Sequence, residues 1–170
     1  LFSVEHHTPG HEFDLLAFNL SAELTYTNLV NCIDLAGVPV RAADRTEGHP
    51  LIVAGGHCTY NPEPLADFLD AVVLGDGEEV VGEITEVVAA HKARPVLALA
   101  GIESVYVPSL YEVAYDGPSV ASITPLHPGV PAVITKRTVA DLADWPYPRN
   151  QLAPLTEVVH DRLNVEVFRG

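Results

Sequence analysis

Two short runs concentrate the groups that could do chemistry: Gly55-Gly56-His57-Cys58-Thr59 and Gly75-Asp76-Gly77-Glu78-Glu79. Paired glycines clear Cβ atoms from a ligand's path and leave amides exposed where a helix follows. The same pair also makes a tight strand-to-helix turn that holds no ligand, and both readings stand at this point. His57 either lines a pocket beside Gly55 and Gly56 or makes a structural hydrogen bond. In the second run the carboxylates of Asp76 and Glu78 could accept from a ribose or an amide. Asp76 with Glu79 three positions on also reads as a capping box at a helix start. Three carboxylates in five residues disfavour a phosphate.

The remaining candidates are thinner. His6, His7 and His11 form an HHxxxH cluster that could hold zinc or nickel, or be solvated near a chain end. Cys32 and Cys58 are the only cysteines and lack CxxC spacing, so they read as reduced thiols rather than a disulfide or a metal site. No Ser/His/Asp or paired-carboxylate constellation is visible. The expectation is therefore no catalytic residue and no metal ligand in this piece of chain.

The 170 residues carry a net charge of −14, from nine Lys and Arg against 23 Asp and Glu. Such a surface repels a phosphate backbone, which argues against nucleic acid as a partner. Apolar runs such as 71–74 and 95–100 fall far below the roughly 20 residues that span a bilayer. The N-terminus has no signal-peptide pattern, so the expected compartment is the cytoplasm and no membrane partner is expected. Methionine is absent and residue 1 is Leu, which reads as a piece excised from a longer protein.

The elements that must position these groups follow from periodicity. Phe13 to Leu20, Pro50 to Ala54 and Asp70 to Leu74 are strand-length apolar runs. Helices are expected where Tyr26, Leu29, Val30, Ile33 and Ala36 recur at helical spacing, closed by Gly37, and over 78–91, where Val80, Val81, Ile84, Val87 and Val88 make a stripe. Pro64 sits where a first turn precedes Leu65 and Phe68. Consecutive rather than alternating apolar positions imply strands buried on both faces. The expected fold is α/β, an open doubly wound parallel sheet of the flavodoxin or Rossmann-like type. Such sheets take ligands beyond the carboxyl ends of their strands, here the loops 19–23, 55–61 and 75–79, with Ser21 and Glu23 the ligand candidates in the first. Past residue 93, 95–102 reads as a short helix, 104–115 as β-rich, 116–118 as a turn and 119–140 as extended. Asp144-Trp145-Pro146-Tyr147-Pro148 reads as a stiff linker, and Val165 to Phe168 as a last strand.

Residues 53–65, VAGGHCTYNPEPL, followed by 70–79, DAVVLGDGEE, resemble the signature of cobalamin-binding domains fused to radical SAM enzymes. Asp76 stands where that signature usually has Glu. The tail from Tyr147 through Thr156 to Gly170 resembles the opening strand of the radical SAM barrel, after which the family carries a CxxxCxxC loop. The resemblance implies a cobalamin-binding-like domain over 1–93, incomplete at its N-terminus because it lacks the family's first strand and helix. It implies a β-rich connecting segment over 94–143, then a linker and the first barrel strand over 144–170. It further implies that Gly55, Gly56 and Thr59 line a groove for the cobalamin nucleotide tail. Ser21, Glu23, His57, Gly75, Asp76, Gly77 and Glu78 are the other expected cofactor contacts. No DxHxxG motif for a lower cobalt ligand occurs. A 4Fe-4S cluster and S-adenosylmethionine are expected only in the parent, whose C-terminal barrel is the expected partner. Two rivals remain: a ligand-free domain that caps the barrel or recruits substrate, and a flavodoxin-like nucleotide or flavin binder, for which Asn19-Leu20-Ser21 and Thr59 are thin support.

Overall fold

The computed structural model describes residues 1–91 and 93–146. It separates into one unit over Leu1–Ala140 and a second over Asp141–Gly170. In the second unit the described part is a single turn at Leu142–Asp144, where the Asp141 carboxylate accepts from the Ala143 amide at 2.8 Å. The expected strand at Val165 to Phe168 and the resemblance over 147–170 lie outside the described residues.

The first unit is α/β. Four strands, β1 (Leu15–Asn19), β2 (Leu51–Gly55), β3 (Ala71–Val73) and β4 (Val105–Tyr106), form a sheet in the order β1-β2-β3-β4. The first three are parallel, with Leu15 opposite Leu51 and Val53 opposite Ala71, while β4 runs antiparallel to β3. The sheet is thus mixed rather than wholly parallel. An apolar run such as Val105-Tyr106-Val107 encodes burial but not direction, which is why the sequence pattern is silent on β4. Burial on both faces holds for β2 and β3, whereas β1, at the sheet's edge, is only half-buried along its length.

Helix α1 (Tyr26–Leu35) packs Leu29 and Ile33 inward, and α2 (Val80–Ala90) packs Val80 and Ile84. Gly37 ends α1 at φ +75°, with its amide on Asp34 O (2.9 Å) and the Val38 amide on Ile33 O (3.2 Å). That is the paired-bond termination that a left-handed glycine permits. The stretch after Pro62 winds as a 3-10 helix over Glu63–Phe68 rather than an α-helix, and the 95–102 segment shrinks to α3 (Val96–Leu99). Ile33, Ile52, Val72, Val80, Leu99 and Val105 are sealed from solvent at the centre.

Strands β5 (Tyr111–Asp116) and β6 (Ser119–Pro125) make a separate antiparallel hairpin around Gly117, with Val113 opposite Ile123. One face carries Tyr111, Val113 and Tyr115 across from Pro125 and Ile123. Tyr111 is buried at its root, while Tyr115, Val120 and Ile123 are exposed toward the tip.

At the amino ends of β2 and β3 a buried charge cluster joins three distant segments. Asp70 Oδ2 accepts from Arg45 Nη1 (2.8 Å) and from the Ile52 amide (2.7 Å), and Oδ1 accepts from Arg94 Nη2. Arg45 also donates to the carbonyls of Pro39, Val40 and Phe68, and Arg94 to those of His49 and Pro50. The Arg45 and Asp70 side chains are essentially inaccessible. Desolvation pulls the Arg45 guanidinium below its ordinary value, against the opposing pull of Asp70.

Removing one partner of such a pair leaves an uncompensated buried charge, so Asp70→Ala is expected to lower unfolding stability by about 3 to 5 kcal/mol in urea denaturation. Burial, aided by the bond from its hydroxyl to Glu63 Oε1 (2.8 Å), pushes the Tyr106 phenol well above its ordinary 10.0. A phenol held neutral in the fold contributes stability that is complete below the unfolded value and is lost as pH rises toward the folded one. The urea midpoint should therefore fall steadily above pH 10, and Tyr106→Phe should flatten that fall.

Candidate functional site

Of the three loops at the carboxyl end of the parallel strands, the first two are bound to each other and the third to a later segment of the chain. Gly56 has φ +108°, and a Cβ there would lie 2.4 Å from Asn19 Oδ1 and 2.6 Å from Leu20 O. The Leu20 amide donates to Gly55 O (2.7 Å) and the Cys58 amide to Leu20 O (3.0 Å). Glycine is thus required because the chain leaving β1 approaches closely. Thr59 is sealed from solvent, its hydroxyl lying between Gly56 O (2.7 Å) and Val73 O (2.8 Å). One hydroxyl proton shared between two backbone carbonyls ties the β2 turn to the end of β3.

The β3 loop is closed from another direction. A Cβ on Gly75, at φ +99°, would fall 2.1 Å from Arg137 O. Residues 137–139 run parallel to this loop: Arg137 N donates to Leu74 O (2.9 Å), Asp76 N to Arg137 O (3.1 Å) and Val139 N to Asp76 Oδ2 (2.8 Å). Arg137 then reaches α2, donating to Glu79 Oε2 (3.3 Å), to both oxygens of Glu83 and to Glu103 O (3.3 Å). Its hydrogen bonding to Glu83 raises the guanidinium above its ordinary value despite burial. The capping box expected from Asp76 and Glu79 is not formed. Helix α2 starts at Val80 with no side-chain cap, the Asp76 carboxylate accepting from the Val139 amide and that of Glu79 from Arg137. Of the two glycines in this loop, Gly77 keeps open space, with only Val81 Cγ2 at 4.0 Å. Glu78 is half-buried in the same loop.

Ser21, Glu23 and His57 are exposed on this end of the sheet, with Leu24 and Tyr60. The Tyr26 hydroxyl donates to Cys58 O at 3.2 Å, joining the start of α1 to the turn after β2. Burial, with Glu23 adding to it, raises the Cys58 thiol above its ordinary value, so Cys58 is a poor nucleophile at neutral pH. Sequence reasoning singled out neither Leu20 nor Arg137 as a neighbour of the glycines. Both act through backbone atoms, which side-chain type does not report.

An open sheet forms a ligand crevice where its strand order reverses. Here the order runs consecutively, with no reversal among the described strands. The close approach at Gly56 is made by the chain itself and Thr59 is fully engaged. Gly56 and Thr59, which the resemblance implies line a groove, make these contacts with the chain itself.

A concavity of about 400 Å³ lies at the amino end of the strands, lined by His11, Glu12, Asp14, Glu47, His49 and His91 among others. His91 Nδ1 donates to Val87 O (2.6 Å) and His49 Nδ1 accepts from the Thr46 amide (3.0 Å). Among the described residues no group of three or more His, Cys, Asp or Glu is arranged to hold a metal ion, His6, His7 and His11 included. Nor, among those residues, is any helix long and apolar enough to cross a membrane.

Gly75→Ala must both displace the Arg137 backbone and hold alanine at positive φ, so a stability loss of at least about 2 kcal/mol is expected. Gly77→Ala should be nearly neutral in the same denaturation assay.

Residues 1–108 match the family model described as "Radical SAM proteins, N-terminal". No curated protein and no solved structure matches the chain.

Proposed function

The chain belongs to the family of N-terminal regions of radical SAM proteins, and from that premise we propose that it is an accessory domain acting through contact with the rest of its parent. In this reading it caps the C-terminal barrel or recruits substrate to it, and holds no small ligand between its glycine turns. The observation that supports the reading is the internal closure of the strand carboxyl ends: Leu20 fills the approach to Gly56, Thr59 bridges two backbone carbonyls, and Arg137 covers Gly75. Radical cleavage of S-adenosylmethionine requires a 4Fe-4S cluster held by several thiolates. The two cysteines here, Cys32 and Cys58, do not supply that set. The cluster and its chemistry belong, in this proposal, to the barrel.

A second reading keeps cobalamin. It is favoured by the open space at Gly77 and by the exposure of Ser21, Glu23 and His57 along the same end of the mixed sheet. In it, Gly77 and Glu78 would face the corrin amides and His57 the ring, while Gly56 and Thr59 keep a structural role.

Titrating hydroxocobalamin into the chain and recording its visible spectrum separates the two. The accessory reading expects no change at ligand concentrations up to about 100 μM, far above what a specific site needs. A saturable shift abolished by Gly77→Trp would establish the cobalamin reading in its place.

A further inference from the structure

We infer that residues 136–139 are a releasable latch on the loop 75–79, coupling the state of that loop to the chain that follows Ala140. The inference goes beyond the accessory role and does not depend on which ligand, if any, the loop takes.

The two closures at this end of the sheet differ in kind. At Gly56 the contacts are neutral, backbone-centred and buried, and Thr59 ties them directly into β3. Opening that side means breaking the core. At Gly75 the covering segment is pegged by only two buried residues, Arg137 and Val139, while Lys136, Thr138 and Ala140 beside them are exposed. Its grip is polar: three hydrogen bonds of 2.8 to 3.1 Å to Leu74 and Asp76, and the guanidinium on Glu79 and Glu83, whose side chains are 42% and 44% exposed. Ion pairs with such solvent access add little. The buried Arg137 Nε–H has no hydrogen-bond partner among the described residues, so the peg is itself incompletely satisfied. Leaving a buried donor unmade weakens the closed state relative to one in which water reaches it.

Apart from Glu103 O, the polar groups that hold the latch come from the turn it covers and from the helix that turn leads into. Asp76 offers its amide and carboxylate, Leu74 its carbonyl, Glu79 its carboxylate just before α2 and Glu83 its carboxylate in the first turn of α2. Lifting 136–139 therefore uncovers Gly75 and breaks the bonds between Asp76 and residues 137–139 at the carboxyl end of β3. The segment lies immediately before residue 141, where the second unit begins. Tension or binding beyond Ala140 would then open the loop, and occupation of the loop would release the latch, since coupling between two sites is reciprocal.

Hydrogen exchange with mass spectrometry on the full 170-residue chain tests this without any ligand. In Arg137→Ala, peptides covering 74–79 and 130–140 should exchange about tenfold faster than in the unaltered chain, while the peptide covering 51–59 keeps its protection. Independently of that variant, raising salt to 1 M on the unaltered chain should speed the same two peptides about threefold and leave 51–59 unchanged, because the screened contacts are those of Arg137. A thiol probe adds access itself: Gly77→Cys should react with a maleimide faster when paired with Arg137→Ala than alone, read by mass at that site. Equal acceleration of 51–59, under either condition, would show that the segment belongs to the cooperative core and would overturn the latch. So would exchange in 74–79 that fails to move with 130–140.

Discussion

Asp70 is the residue on which this architecture depends most. It sits at the start of β3 and draws Arg45 from the α1–β2 connection, Arg94 from beyond α2 and the Ile52 amide of β2 onto one carboxylate. Two cations around one anion leave a net positive charge in a low-dielectric place, which the carbonyls of Pro39, Val40, Phe68, His49 and Pro50 offset. Buried ion pairs are tolerable when each remaining donor is met, and here the carbonyls meet them. The cluster fixes where long connections return to the sheet, a task that apolar packing, being non-directional, performs poorly.

The opposite end of the sheet is organised by backbone proximity instead of charge. Two left-handed glycines, Gly56 and Gly75, allow separate segments to lie against the turns after β2 and β3 at distances no side chain could permit. A turn rich in glycine invites the thought of a ligand, and the same absence of a Cβ serves equally well to admit a neighbouring strand. Which of the two applies is decided by what the rest of the chain brings there. In this protein Leu20 and Arg137 arrive first.

Much of the fold was legible because periodicity and punctuation agree. Helix α1 lies where Leu29 and Ile33 recur and stops at Gly37, α2 lies under Val80 and Ile84, and β2 and β3 are the apolar runs that read as doubly buried. The direction of β4 was not legible, since hydrophobicity has no sign along the chain. The site was harder. The loops were located correctly at the strand carboxyl ends, yet Asp76 and Glu79 found partners 63 and 58 residues away in sequence rather than the local helix start. Arg45, Asp70 and Arg94 passed unremarked for the same reason. A lone acid opening an apolar strand, in a chain with only nine basic residues, was the available hint.

The hairpin of β5 and β6 has a consequence for handling the molecule. A two-stranded ribbon has no interior strand, so both of its outer ladders, unpaired in any sheet among the described residues, offer amides and carbonyls to a passing extended chain. Its apolar face, with Tyr115, Val120 and Ile123 in contact with solvent, adds stickiness to that template. Glu112 and Asp116 on the reverse side, with the strongly negative whole, oppose such pairing by repulsion. Since that repulsion is screened at high ionic strength, salt is the condition under which ribbons from different molecules would zip together and come out of solution.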